Sequence, residues 1–286
     1  MIKPILKWAG GKRSIINKIE NKINQVLSEE ATLFDLFTGS GSVAFSLERS
    51  FNKIVINDTN EELINLYLNV KDHVGEIIKI LEVLQEEHSK ELFYKVRSWD
   101  REKNHQHKFS PVQLAARTIY LNRTCFNGLY RVNLKGQFNV PMGNYDNPRI
   151  NDFENLNKVS DLLKSKKIDI KNSDFTHLKS SIKPGDIVYL DPPYDKETSS
   201  SFVEYTKKSF DRYDQERLKD FFDELTDKGV YVILSNSATD RIKELYQEYI
   251  DEDSYIKVNR SVGANANTRK KSTEILIDNF RKVCKK

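Results

Sequence analysis

An α/β fold, one mostly parallel sheet flanked by helices and interrupted by an insertion, is the architecture predicted for this 286-residue chain. Three observations predict it. A glycine turn, Thr38-Gly39-Ser40-Gly41, follows the apolar run Thr32 to Phe37 and precedes a helical stretch from Val43 to Glu48. The runs Ile187 to Leu190 and Val230 to Leu234 have the unbroken hydrophobicity of parallel strands covered on both faces. Between these halves, from about 61 to 165, the pattern is mostly helical and partly basic.

In chain order, Lys7-Trp8-Ala9-Gly10-Gly11-Lys12 reads as a loop that enters a helix near Ser14. A strand at Thr32 to Phe37, the glycine turn and its helix, and a second strand at Lys53 to Asn57 make a βαβ opening that ends at Asp58. Residues Glu61 to about Arg101 are mostly helical, and a further helix covers Pro111 to Leu121. The stretch Asn122 to Pro141 is rich in turns, with Asn127-Gly128 and Lys135-Gly136 between aromatic and β-branched residues, which suggests a β-hairpin or an extended loop. Strand and helix alternate again after about 166, and late runs near 254–260 and 273–280 form an antiparallel pair. The expected division is a domain of residues 1–60 and 166–286 with a second domain, 61–165, inserted in it.

Composition excludes several classes. With 38% hydrophobic and 31% charged residues, the chain is globular and not disordered. No run reaches the ~18 apolar residues of a membrane span, and Met1-Ile2-Lys3-Pro4 does not open a secretory signal. Cys125 and Cys284 supply neither a disulfide framework nor a zinc site, and a reducing cytoplasm is the expected compartment. No His, Cys or carboxylate cluster has metal-ligand spacing, so no metal is expected. The net charge of +4 is unevenly spread. Residues 95–150 hold ten Lys and Arg against three acids, and residues 257–286 hold nine against two. Such segregation suits surfaces that face a polyanion, although solvated basic faces would look the same.

Gly39-x-Gly41-x-x-Ala44 satisfies the fingerprint of a dinucleotide turn, and Asp58 stands near the place of its ribose-binding acid. Taken alone, the turn leaves NAD, S-adenosylmethionine (AdoMet) and a purely structural role open. Gly11-Lys12 is not a triphosphate loop: Leu6 stands where its first glycine is required, and Arg13 where Ser or Thr should bind magnesium.

Asp191-Pro192-Pro193-Tyr194 follows the strand Ile187 to Leu190, at the carboxyl end where α/β sheets place ligands. A chemical reading accounts for each residue. The N6 amine of adenine is a poor nucleophile because its lone pair is delocalised into the ring. Two acceptors, the Asp191 carboxylate and the Pro192 carbonyl, can take one N–H each and free that lone pair to attack a sulfonium methyl. Pro192 and Pro193 stiffen the loop, and Tyr194 offers a face on which an extruded base stacks.

Four blocks in this order, Lys7 to Lys12, Asp35-Leu36-Phe37-Thr38-Gly39-Ser40-Gly41, Asn122 to Pro141 and Asp191 to Tyr194, resemble the Dam-type (D12 class) DNA adenine-N6 methyltransferases. The resemblance implies a Rossmann-like, AdoMet-dependent methyltransferase sheet with an inserted target-recognition domain. It implies that Trp8, Lys12, Asp35, Phe37, Gly39, Gly41, Asp58, Asp174, Phe175 and Asp191 hold AdoMet, with Asp58 at the ribose and Asp174 and Phe175 at the adenine ring. Lys7, Asn127, Leu129, Arg131 and Pro141 would approach bases of duplex DNA, with Arg131 suited to guanine. Arg123, Lys135 and the C-terminal basic run would hold phosphates, and the Lys196 to Ser209 loop would close over the flipped base. Where the family often has a basic residue after Pro141-x-Gly143, this chain has Asn144.

The expected reaction is methylation of adenine N6 at GATC or another GAT-containing site, with base flipping. A cognate restriction endonuclease is a candidate functional partner, and the nucleoid a place of work. Cytosine-N4 enzymes usually carry Ser or Thr in place of Asp191. Two other classes remain as competitors, a DNA-binding protein with an inactive methyltransferase fold and an NAD-dependent oxidoreductase.

Overall fold

The computed structural model describes residues 2–8, 10–145, 147–150, 152–165, 167–195, 210–259 and 271–285. Its centre is a seven-stranded sheet of β1 (Thr32–Asp35), β2 (Lys53–Asn57), β3 (Ile168–Lys171), β4 (Ile187–Leu190), β5 (Tyr231–Ser237), β6 (Tyr255–Asn259) and β7 (Lys271–Asp278). The spatial order is β3-β2-β1-β4-β5-β7-β6. Strands β1 to β5 are parallel, and β7 enters antiparallel to both β5 and β6.

The strands are buried on both faces because alternate residues feed two apolar clusters. Leu33, Ile187, Tyr189 and Ile233 point into one, while Phe34, Val188, Leu190, Val232 and Leu234 point into the other. This is why the sequence shows continuous apolar runs instead of an in–out alternation.

Among the described residues the α-helices are α1 (Ile16–Ile23), α2 (Ser42–Ser46), α3 (Glu61–Glu86), α4 (Lys90–Arg97), α5 (His105–Lys108), α6 (Pro111–Thr124), α7 (Phe153–Lys164), α8 (Arg212–Asp227), α9 (Asp240–Leu245) and α10 (Phe280–Val283). Their starts are written in the sequence. Asn60 caps α3 by accepting from the Leu63 amide, and Ser110 and Gln113 form a reciprocal capping box on α6 with Pro111 in its first turn. Each such cap contributes about 1 kcal/mol.

The stretch 122–141 is less regular than a hairpin. A 3-10 turn at Phe126–Gly128 is followed by two isolated bridges, Val132 with Phe138 and Cys125 with Met142. The side chain of Asn133 organises its own turn, accepting from the amides of Lys135 and Gln137, and local polar groups thereby replace a strand ladder.

Candidate active site

The strand order reverses between β1 and β4, which pair in parallel, so the loops that leave their carboxyl ends start side by side at the switch point, where open α/β sheets place ligands. One loop carries the glycine turn and the other Asp191 to Tyr194. A buried asparagine, Asn57, stitches the neighbouring strand ends together. Its Nδ2 donates to the carbonyls of Leu36 (3.1 Å) and Ser173 (3.0 Å), and its Oδ1 accepts from the Ser173 amide (3.0 Å). In sequence Asn57 was only the last residue of a strand.

Both glycines are required where they stand. Gly41, at φ +74°, begins α2, and a Cβ there would lie 2.6 Å from the Phe45 ring; at Gly39, φ +49°, it would lie 3.0 Å from the Trp8 indole. The Gly39 amide donates to Asp58 Oδ2 at 3.0 Å and its carbonyl accepts from the Tyr67 hydroxyl at 2.6 Å. Asp58 Oδ1 accepts from the Asn60 amide at 2.9 Å. Burial raises the Asp58 pKa against the pull of those amides.

Lys12 is 3% exposed. The 3-10 turn Lys12–Ser14 aims its ammonium at Asp191 Oδ1, 2.8 Å away, with the Tyr194 ring centre at 4.9 Å and the Gly10 carbonyl also accepting from it. Burial lifts the Asp191 carboxyl to about 6; Lys12 opposes the rise and Glu274 adds to it. Asp35 lies deeper, at 1% exposure, and burial together with the nearby Asp191 charge pushes it up to about 8. Its Oδ1 has no hydrogen-bond partner among the described residues.

The Asp-Pro-Pro-Tyr loop is braced from outside. Gln215 Nε2 donates to the Pro193 carbonyl at 3.1 Å. Just beyond, Asp195 accepts from Thr239 Oγ1 and Arg241 Nη1, and its amide donates to Asn236 Oδ1. Pro192 is buried and Pro193 exposed. The Tyr194 hydroxyl donates to Glu274 Oε2 at 2.9 Å, and burial raises its pKa well above the ordinary phenol value.

Asp174 and Phe175 sit at the next strand end. Phe175 is buried against Phe37 (5.5 Å) and Phe221 (5.3 Å). Asp174 Oδ1 accepts from the Thr176 amide and hydroxyl and from Arg217 Nη2 at 3.0 Å. Partial burial works against its ionisation, but these hydrogen bonds prevail and lower its pKa. Arg217, whose guanidinium also lies 5.3 Å from the Phe175 ring, was not anticipated.

Asn122 ties the basic stretch to the opening loop. Its Oδ1 accepts from the Lys7 amide, and its Nδ2 donates to the carbonyls of Lys7 and Gly128. Around this anchor Lys7, Asn127, Arg131, Lys135 and Pro141 are exposed, with Leu129 partly buried. Lys7 Nζ lies 5.1 Å from the Tyr145 ring centre, and Arg131 Nε donates to Asn139 Oδ1 at 2.7 Å. Asn127 adopts a left-handed backbone, φ +55°. Trp8 stacks on Tyr130 at 5.0 Å. Arg123 is differently used from the rest: it is partly buried and its Nη2 donates to the Ile5 carbonyl, so part of its donor capacity serves the fold. The Lys196 to Ser209 loop and residues 260–270 of the basic C-terminal run lie outside the described residues. Among the described residues no group of three or more His, Cys, Asp or Glu is placed to hold a metal, and no helix is long and apolar enough to cross a membrane.

The sheet and the loops that converge at its switch point are those of a Rossmann-like methyltransferase. The chain belongs to the D12 class N6 adenine-specific DNA methyltransferase family, whose model matches residues 8–262. It is therefore an adenine-specific DNA methyltransferase, with DNA as the family's substrate. Type II methyltransferase M1.LlaDCHI of Lactococcus lactis subsp. cremoris is 41% identical over 280 residues, covering 98% of this chain and 96% of that protein. Type II methyltransferase M.MjaIII of Methanocaldococcus jannaschii is 40% identical, with 98% and 99% covered. The DNA adenine methylase of Escherichia coli (strain K12) is 31% identical, with 96% and 94% covered.

Proposed function

We propose that this enzyme transfers the methyl group of AdoMet to N6 of an adenine extruded from duplex DNA, at GATC or another short site that contains GAT. The observation that carries the reading is the meeting, at one switch point, of the Asp58 and Gly39 cradle with the Asp191 to Tyr194 loop.

The residues suit AdoMet. Asp58 keeps lone pairs beyond those given to two amides and can accept from ribose hydroxyls. Trp8, Phe37 and Phe175 supply aromatic surface, Asp174 a carboxylate, and Gly41 a close approach of the backbone. The buried Oδ1 of Asp35, without a partner among the described residues, is an acceptor that a cationic ligand would satisfy. AdoMet, when bound, supplies an electrophilic methyl group on a sulfonium.

The chain's own groups do the rest. Asp191, ionised above about pH 6, accepts one proton of the adenine amine in a hydrogen bond. The Pro192 carbonyl accepts the other; among the described residues it has no internal donor, in contrast to Pro193. With both N–H groups held, the lone pair is freed for in-line attack, and the methylated nitrogen then sheds one proton without a strong general base. Tyr194 carries the base on its ring. The insertion, 61–165, reads the site. Arg131 and Asn127 face bases, as do Lys7, Leu129 and Pro141, while Lys135 faces phosphates. The work belongs in the cytoplasm on nucleoid DNA, and the type II names of two relatives favour a partner restriction endonuclease.

Labelled methyl transfer from AdoMet to unmethylated plasmid, followed by sequencing for N6-methyladenine, tests the reading. Methylation confined to one GAT-containing motif is expected. Tight DNA binding without transfer would favour an inactive DNA-binding fold, and NADH binding in place of AdoMet would favour an oxidoreductase.

A further inference from the structure

Glu274 is the charged residue that the apolar end of β7 does not account for. The next three residues, Ile275, Leu276 and Ile277, are 0–1% exposed, and Glu274 itself is 7% exposed. A carboxylate is costly to enclose unless hydrogen bonds hold it, and packing alone would be served by an apolar side chain. Its Oε2 accepts from the Tyr194 hydroxyl at 2.9 Å, and that hydroxyl lies 3.3 Å from Ser235 Oγ on β5. The ring of the same tyrosine faces the Lys12 ammonium, which pairs with Asp191. The backbone of this loop is already braced through Pro193 and Asp195, so the side-chain torsions of Tyr194 are the freedom left to fix.

We infer that Glu274 is a positioning residue for methyl transfer: its carboxylate holds the Tyr194 hydroxyl and thereby sets the plane of the ring on which the target adenine stacks. The inference rests on Tyr194 being that stacking platform. A hydrogen bond to an ionised acceptor is stronger than one between neutral groups. A ring held at its tip gives up rotational freedom before the base arrives, which lowers the entropic cost of orienting base and methyl donor.

Single-turnover transfer from tritiated AdoMet to a duplex carrying the mapped site tests this in the full chain. Work at about pH 8.5 favours the ionised form of Asp191, whose carboxyl burial lifts to about 6. Glu274→Ala and Tyr194→Phe are each expected to slow transfer roughly tenfold, the worth of one buried hydrogen bond to a charged group. The double variant is expected to be no slower than Tyr194→Phe, because both changes remove the same bond. Losses that multiply in the double variant would overturn the inference. Glu274→Gln keeps an acceptor in place and is expected to stay within about threefold of wild type; a glutamine variant as slow as alanine overturns it too. If Glu274→Ala does not fold, Tyr194→Phe decides, and a wild-type rate there is fatal. Tyr194→Ala, read by 2-aminopurine fluorescence at the target base, separates the two ideas. An unchanged signal removes the platform itself. A large loss there, with Tyr194→Phe and Glu274→Ala at wild-type rate, removes only the role of Glu274.

Discussion

The ammonium of Lys12 lies 2.8 Å from a carboxylate oxygen of Asp191, at a position where Lys12 is 3% exposed. Burial raises the pKa of this carboxyl, and the lysine restrains the rise to about 6. Lys12→Met removes the restraint, so the pKa must move further up, by about one unit or more for a close ion pair. The acid limb of the pH–rate profile at saturating AdoMet should shift to higher pH, with activity recovered in alkali. An unmoved limb would separate Lys12 from the state of Asp191.

Asp191→Ala removes one of the two proposed acceptors of the adenine amine. Methyl transfer should fall by about a hundredfold or more, while AdoMet and duplex binding, followed by titration calorimetry, are partly retained. Near-normal turnover would refute the assigned chemistry.

Arg131 is exposed on the proposed recognition face and tethered by its Nε to Asn139, which orients the guanidinium. Arg131→Ala should cost about 1–3 kcal/mol at the correct site and relax the choice of sequence. Equal weakening on all duplexes would make it a phosphate contact.

Asp35 gives the ligand-free protein a pH-dependent stability. Its carboxyl binds a proton up to about pH 8 in the folded chain but only to about 3.8 when unfolded. Between those values the folded state holds the extra proton, so stability falls as pH rises and levels off above about 8. Thermal melts from pH 6 to 9 should show Tm decreasing, and Asp35→Asn should flatten the trend. An equally steep trend in the asparagine variant would place the proton elsewhere.

Asn122 is 2% exposed and holds the opening loop to the proposed recognition stretch with three hydrogen bonds. Asn122→Ala leaves buried backbone groups unsatisfied, at a cost of about 1–3 kcal/mol. Tm should fall by several degrees and DNA affinity with it. A melt indistinguishable from wild type would show that the loop is held by other contacts.

The regular parts of the chain were legible because they repeat a local rule. The strand Lys53 to Asn57 matches β2 residue for residue, and the two late runs are the antiparallel β6 and β7. The helix expected from Pro111 extends to Thr124, as its proline and capping box allow. Of the hairpin or extended loop suggested for 122–141, the structure has the loop, with isolated bridges, because Asn133 supplies side-chain bonds where a ladder would form. Within the site, Asn57, Arg217 and Glu274 escaped notice, and Asn122 stood only as the first residue of the Asn122 to Pro141 block. The first three belong to no motif, and each of the four matters through a partner remote in sequence. Arg123 shows the opposite case, a cation chosen for a basic stretch that is partly spent on the Ile5 carbonyl.

By itself the sequence determined the α/β class, the glycine turn and the place of Asp191 to Tyr194 just beyond a buried strand, since strand period, turn residues and a rare tetrapeptide are properties of neighbouring residues. The tertiary structure alone decided that the loops after β1 and β4 leave the same sheet edge side by side, that Lys12 meets Asp191, and that Glu274 meets Tyr194. Those meetings depend on strand order and register, which bring together groups separated by tens to hundreds of residues and which no local pattern encodes.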